Sequence, residues 1–193
     1  MLEVLLAYFE RNFKLSGEDI SFICSVFLSK KLKKGQFLQR EGELARLGAF
    51  VTKGLLRSYV IDAKGKEYII QFAPENWWIS DKAGMSTNAK ASFFIDAVED
   101  AEMMCIDLPG HLAMMERIPG YAAIFHAGMQ KRAVAKDQRI VNALSATAEE
   151  RYDDFVRTYP SLAQRVPKHM LASYLGITPE TLSRIRTAQS QKK

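Results

Sequence analysis

Apolar positions change their period twice along this chain, and those changes divide it into three regions. Leu2, Leu5, Leu6, Phe9 and Phe13 recur at helical spacing and predict a helix over residues 2–13. A second helix is predicted to open at Ser16 and to end near Leu28. Ser16 is its cap, Asp19 stands three residues on as in a capping box, and Leu15 and Ile20 are placed for a hydrophobic staple. From Lys31 to Asp107 the helical period disappears. Glycines recur at Gly35, Gly42, Gly48, Gly54 and Gly65, and between them lie short β-rich runs: Phe50-Val51, Leu55 to Ile61, Tyr68 to Phe72, and Phe93 to Val98. Asp62-Ala63-Lys64-Gly65 reads as a hairpin turn with Gly65 supplying the positive φ. Many short strands with regular turns predict a small antiparallel sandwich or barrel.

Beyond Pro109 the helical period returns. Residues 119 to about 144 read as one long helix without an internal proline, rich in Ala122, Ala123, Ala127, Gly128, Ala133 and Ala135. Small residues permit close helix approach, so this helix reads as a dimerisation element, with packing on its own chain as the other reading. Thr147 and Glu150 form a second capping box, opening a helix that stops before Pro160. Pro160 and Pro167 punctuate the approach to two last helices, and Gln189 to Lys193 read as disordered.

The segment from Lys168 to Arg186 carries the most specific pattern. Two short helices crossing steeply need a small residue at the crossing, a turn residue tolerant of left-handed φ, and a shared apolar core. Ala172, Gly176, and the set Leu171, Leu175, Ile177, Leu182 and Ile185 meet these needs. Thr178 is a suitable N-cap and Pro179 suits the first helical position. The outward positions then read Pro179, Glu180, Thr181, Ser183, Arg184 and Thr187. Glu180 can accept from a cytosine amino group and Arg184 can bridge guanine O6 and N7; the competing reading is an intrahelical Glu180–Arg184 pair.

Composition supports a nucleic-acid partner for this end of the chain. Of 193 residues, those from 131 onward hold 12 Lys and Arg against 6 Asp and Glu, whereas residues 1–130 hold 15 against 16. This asymmetry fits a polyanion, although a solvated basic face would show it too. No apolar run reaches membrane-span length, and the N-terminus reads as an amphipathic helix rather than a signal peptide, which points to the cytoplasm. Cys24 and Cys105 are too few for a disulfide framework or zinc site and are expected to be buried free thiols. His111, His126 and His169 have no ligand spacing. Neither a catalytic constellation nor a cofactor or metal site is recognisable, and no enzyme is expected. Trp77 and Trp78, with Phe93 and Phe94, read either as core or as the lining of a sensing pocket inside the roll.

From about Leu32 to Arg186 the chain resembles the Crp/Fnr family of bacterial regulators. The residues that carry this resemblance are Leu175-Gly176-Ile177-Thr178-Pro179-Glu180-Thr181-Leu182-Ser183-Arg184 and the framework Lys34-Gly35, Glu41-Gly42, Lys53-Gly54-Leu55-Leu56-Arg57 and Gly65-Lys66-Glu67. The resemblance implies an α+β chain in three parts. These are N-terminal helices and an antiparallel, jelly-roll-like β-roll of cyclic-nucleotide-binding type (1–118), a dimerisation helix (119–145), and an all-α helix-turn-helix domain (146–193). It implies a homodimeric regulator of double-stranded DNA, with RNA polymerase as a further partner. It assigns base contacts to Glu180, Ser183 and Arg184, and supporting or phosphate contacts to Thr178, Thr181, Lys168 and His169.

Three departures qualify the match. The Gly-Glu segment and Arg-Ser-Ala cassette of cyclic-AMP binders are replaced by Pro74 to Asp81 and Lys90 to Ile95, so the arginine clamp for a buried phosphate is missing. Trp77, Trp78, Lys90, Ser92 and Phe93 remain as a candidate effector pocket, and cyclic AMP is not the expected effector. Two cysteines cannot hold an iron–sulfur cluster, which needs about four. The chain reaches Lys193 soon after the recognition helix, so the β-hairpin wing is expected to be absent or truncated. A sensor whose helix-turn-helix serves protein interaction is the alternative function.

Overall fold

The computed structural model describes residues 1–191. Helices α1 (Leu2–Glu10) and α2 (Gly17–Val26) precede eight strands: β1 (Leu28–Leu32), β2 (Phe37–Gln39), β3 (Leu47–Lys53), β4 (Leu56–Ile61), β5 (Glu67–Ala73), β6 (Trp78–Ile79), β7 (Phe94–Ala97) and β8 (Ala101–Asp107). The short α3 (Lys82–Thr87) interrupts the strands. Helices α4 (Leu108–Arg117), α5 (Pro119–Ser145), α6 (Ala148–Thr158), α7 (Pro160–Arg165), α8 (Lys168–Leu175) and α9 (Pro179–Gln191) follow.

The strands form two four-stranded sheets, ordered β1-β8-β3-β6 and β2-β7-β4-β5, the expected antiparallel roll. Between them lies an apolar core that includes Ala49, Val51, Leu56, Ile95, Ala97, Met103 and Cys105. On adjacent strands β4 and β7, Arg57 and Asp96 are register partners and form a buried bidentate ion pair at 2.7 and 3.0 Å. The turn between β3 and β4 requires glycine. Gly54 has φ of +88°, and a Cβ there would lie 2.3 Å from the Asp100 carbonyl oxygen. The turn predicted at Asp62 to Gly65 forms, closed by Asp62 N–H to Lys66 O and Gly65 N–H to Asp62 O.

A second core joins the first helices to β3, β8, α4 and the start of α5 through Leu5, Phe9, Ile23, Phe50, Met104, Met114 and Tyr121. Both predicted capping boxes form, Ser16 with Asp19 and Thr147 with Glu150, which is why α2 and α6 begin where the sequence places them. Four expectations need correction. Helix α1 stops at Glu10, and Phe13 reaches the core from the following turn. Helix α2 ends at Val26 because Leu28 already belongs to β1, paired with Cys105 of β8. Cys24 is exposed on α2, whereas Cys105 is buried, its thiol pushed up to about 11 by desolvation. Gln189 to Gln191, expected to be disordered, continue α9; Lys192 and Lys193 lie outside the described residues.

Contacts divide the chain into two compact units, residues 1–60 with 71–129 and residues 61–70 with 130–193. The tip of the β4–β5 hairpin, residues 61–70, thus groups with the helical unit. Among the described residues, no helix is long and apolar enough to cross a membrane.

Candidate nucleic-acid interface

Helices α8 and α9 form the helix-turn-helix. Leu171, Ala172 and Leu182 are fully buried and Leu175 nearly so, while Ile177 and Ile185 are half-buried at the edge of the same core. Gly176 ends α8 with φ of +67° and ψ of 35°, and its N–H and that of Ile177 close the turn onto Ser173 and Ala172. A side chain would be strained in that left-handed conformation, so the steep crossing depends on glycine. Thr178 caps α9 by accepting from the Thr181 N–H at 3.2 Å, with Pro179 at the first helical position.

With the apolar positions turned inward, Glu180, Ser183, Arg184 and Thr187 stand exposed along α9. Arg184 donates to Thr181 Oγ1 at 3.4 Å, and among the described residues it makes no ion pair with Glu180. The backbone N–H at the helix start and the Thr178 hydroxyl hold the Glu180 carboxyl below the usual carboxylate range, so it is an acceptor at neutral pH. Thr181 is half-buried, its hydroxyl 3.2 Å from that of Thr178. Lys168 and His169 are exposed in the first turn of α8, and Thr178 is exposed at the turn. The seven candidate residues therefore lie on α9, its cap and the start of α8.

Sequence reading gave no role to Arg186, which faces the other way. It donates to Tyr152 Oη and the Ala163 carbonyl, both at 3.0 Å, fastening α9 to α6 and α7. The signal was available: Arg186 follows Ile185 and stands four residues after Leu182, on the inward side. Ser173 also went unnoticed. Its hydroxyl donates to Glu67 O and accepts from Ile69 N–H, tying α8 to the β4–β5 hairpin within the same unit.

The residues of the candidate effector pocket are not brought together. Trp77 and Phe93 pack against the core between the sheets. Trp78 points to the opposite face, where it meets Phe27, Phe50 and Tyr121 at ring distances of 6.1, 5.3 and 6.4 Å. Trp77 lies just before β6 and Trp78 is its first residue, and the two indoles pack into different clusters. Lys90 and Ser92 are exposed, and Phe94 stacks on Tyr59. At the start of α3, Asp81 is buried and accepts from the Gly84 and Ser92 N–H groups at 3.0 and 2.7 Å.

On α5, Val134, Val141 and Leu144 are 67, 53 and 85% exposed. They are spaced seven and three residues apart, the a–a–d spacing of a coiled-coil seam.

Residues 29–118 match the cyclic nucleotide-binding domain. No curated protein matches the chain. Among solved structures, FixK2 from Bradyrhizobium japonicum superposes with a TM-score of 0.74 at 18% identity, covering 86% of each chain. The regulator CLP of Xanthomonas campestris, described as c-di-GMP responsive, gives 0.70 at 14%, covering 92% of this chain and 93% of its own. The catabolite activator protein of Thermus thermophilus gives 0.57 at 22%, covering 92% and 85%. The resemblance read from the motifs therefore holds: residues 29–118 match the model of the cyclic nucleotide-binding domain, and the chain has the fold of the Crp/Fnr transcription regulators.

Proposed function

We propose that this chain is a sequence-specific, DNA-binding transcription regulator that acts as a cytoplasmic homodimer and works with RNA polymerase. Residues 1–118 are its sensor-type domain, 119–145 its dimerisation helix and 146–193 its reading head. The observation that carries the reading is the exposed row Glu180, Ser183 and Arg184 on a helix whose opposite face is locked by Leu182 and Arg186. That row offers an acceptor for cytosine and a bidentate donor for guanine at the depth of a major groove. Lys168, His169, Thr178 and Thr181 are placed to position the helix on the phosphates. The exposed Val134, Val141 and Leu144 support pairing of α5 with its copy, since isolated apolar side chains on one stripe are best covered by an identical stripe.

The roll does not bind cyclic AMP in this reading. A buried cyclic phosphate needs a paired cation and several donors. Here the Gly84 and Ser92 N–H groups are already taken by Asp81, Lys90 stays in solvent, and the one buried arginine among the strands, Arg57, is committed to Asp96. The test is a gel shift on duplex DNA with increasing salt. A regulator of this kind binds with an affinity that falls steeply as salt rises; a chain that uses its helix-turn-helix for protein contacts gives no shifted band.

A further inference from the structure

Within the C-terminal unit lies a cavity of about 460 Å³, bordered by α5, α6, the end of α8 and the β4–β5 hairpin. Two guanidinium groups line it, and neither has a carboxylate partner among the described residues. Arg139 donates to the Ile70 carbonyl at 2.6 Å and lies over the Tyr174 ring at 4.6 Å. Arg151 donates from Nη1 to the Ala143 carbonyl at 3.2 Å, while its Nε is buried with no hydrogen-bond partner. An orphaned, buried charged donor is costly and rare in a settled structure. The carboxylate on the same wall, Asp154, is occupied by Asn142 and Arg157. The aromatic residues of the wall are Tyr68, Phe155, Tyr159 and Tyr174.

We propose that this cavity binds a small aromatic carboxylate. With Asp154 committed to Arg157, the guanidinium groups of Arg139 and Arg151 leave uncompensated positive charge on the cavity wall, which an anionic ligand balances. A planar carboxylate suits the fork of a guanidinium, and an aromatic body suits a wall of rings. The volume lies at the small end of ligand pockets. Binding here does not depend on the DNA-binding reading; its consequence for DNA does, because the cavity is lined by Ser173 to Gly176, the end of the first helix and the turn of the reading head.

The test is calorimetry on the full chain with 2-naphthoate as probe, and with 2-naphthamide, acetate and inorganic phosphate as controls. The expected result is saturable binding of naphthoate, one per protomer, at concentrations below ~1 mM. The three controls should bind at least about tenfold more weakly, and Arg151→Gln should weaken naphthoate about tenfold or more, as expected for one charge-assisted hydrogen bond. Ala135→Phe, on the exposed side of α5 at the cavity rim, should block binding without removing a polar group, with unchanged circular dichroism as the check on folding. Absence of saturable naphthoate binding, equal binding of acetate or phosphate, or undiminished binding in Ala135→Phe would overturn the proposal. A gel shift run in parallel separates the two readings: naphthoate binding without a DNA complex contradicts the proposed function alone, and a DNA complex without naphthoate binding contradicts this site alone.

Discussion

The hydroxyl of Ser173 stands 2.7 Å from the carbonyl oxygen of Glu67, 106 residues away in sequence. The Ser173 hydroxyl donates to that carbonyl and accepts from the Ile69 N–H at 3.1 Å, so one side chain completes two backbone groups on the hairpin edge. Ser173→Ala should leave both without a partner and lower stability by about 1–3 kcal/mol. Urea unfolding measures the loss, and hydrogen exchange should show the Ile69 amide opening sooner. Unchanged exchange at Ile69 would mean that water replaces the hydroxyl at no cost.

The ion pair between Arg57 and Asp96 should be the most sensitive polar contact of the roll. Arg57→Met removes the cation and leaves the buried Asp96 carboxyl alone, at an expected cost of about 3–5 kcal/mol. The double substitution Arg57→Met with Asp96→Leu should recover much of that loss, because two apolar groups can replace a buried pair. Thermal melts of the three proteins decide it, and a double substitution as damaged as the single one contradicts the account.

Self-association should depend on the exposed stripe of α5. Val141→Glu with Leu144→Lys should shift a dimer to monomers in sedimentation at micromolar concentration. Both side chains are exposed in the protomer, so its own melt should change by no more than about 0.5 kcal/mol. A dimer that survives this change would place the interface elsewhere.

Much of this architecture was legible because its signals are local. The two capping boxes, the Asp62 to Gly65 turn and the left-handed Gly176 depend on a few neighbouring residues, and all formed. What could not be read is set by pairing across the chain. β1 carries Lys30 and Lys31 and looks polar, yet it forms a strand because β8 supplies its ladder. β8 itself is rich in Met and Cys at its centre, and takes its form from two flanking partners. Of the two readings of Trp77 and Trp78, core or pocket lining, the core reading fits both, but each joins a different cluster, which no local signal in the sequence distinguishes. The end of α1 was overextended because Phe13 has helical spacing but is delivered by a turn.

Cyclic AMP should not bind. Calorimetry with cyclic AMP or cyclic GMP up to ~1 mM should show no saturable heat, an affinity of about −4 kcal/mol or weaker. Asp81→Ala would free the Gly84 and Ser92 N–H groups, and should cost about 1 kcal/mol as a lost helix cap. Micromolar binding by the native chain would contradict this, and Lys90 would be the first residue to substitute.

The central claim is that α9 reads base edges through Glu180, Ser183 and Arg184. Selection of bound sequences from random duplex DNA tests it most directly. The account predicts an inverted repeat with half-sites about 10 bp apart, containing a guanine whose preference is lost in Arg184→Ala with a drop in affinity of roughly 1–3 kcal/mol per protomer. Selection that enriches no sequence, or an Arg184→Ala protein that loses equal affinity for random and selected DNA, would contradict it.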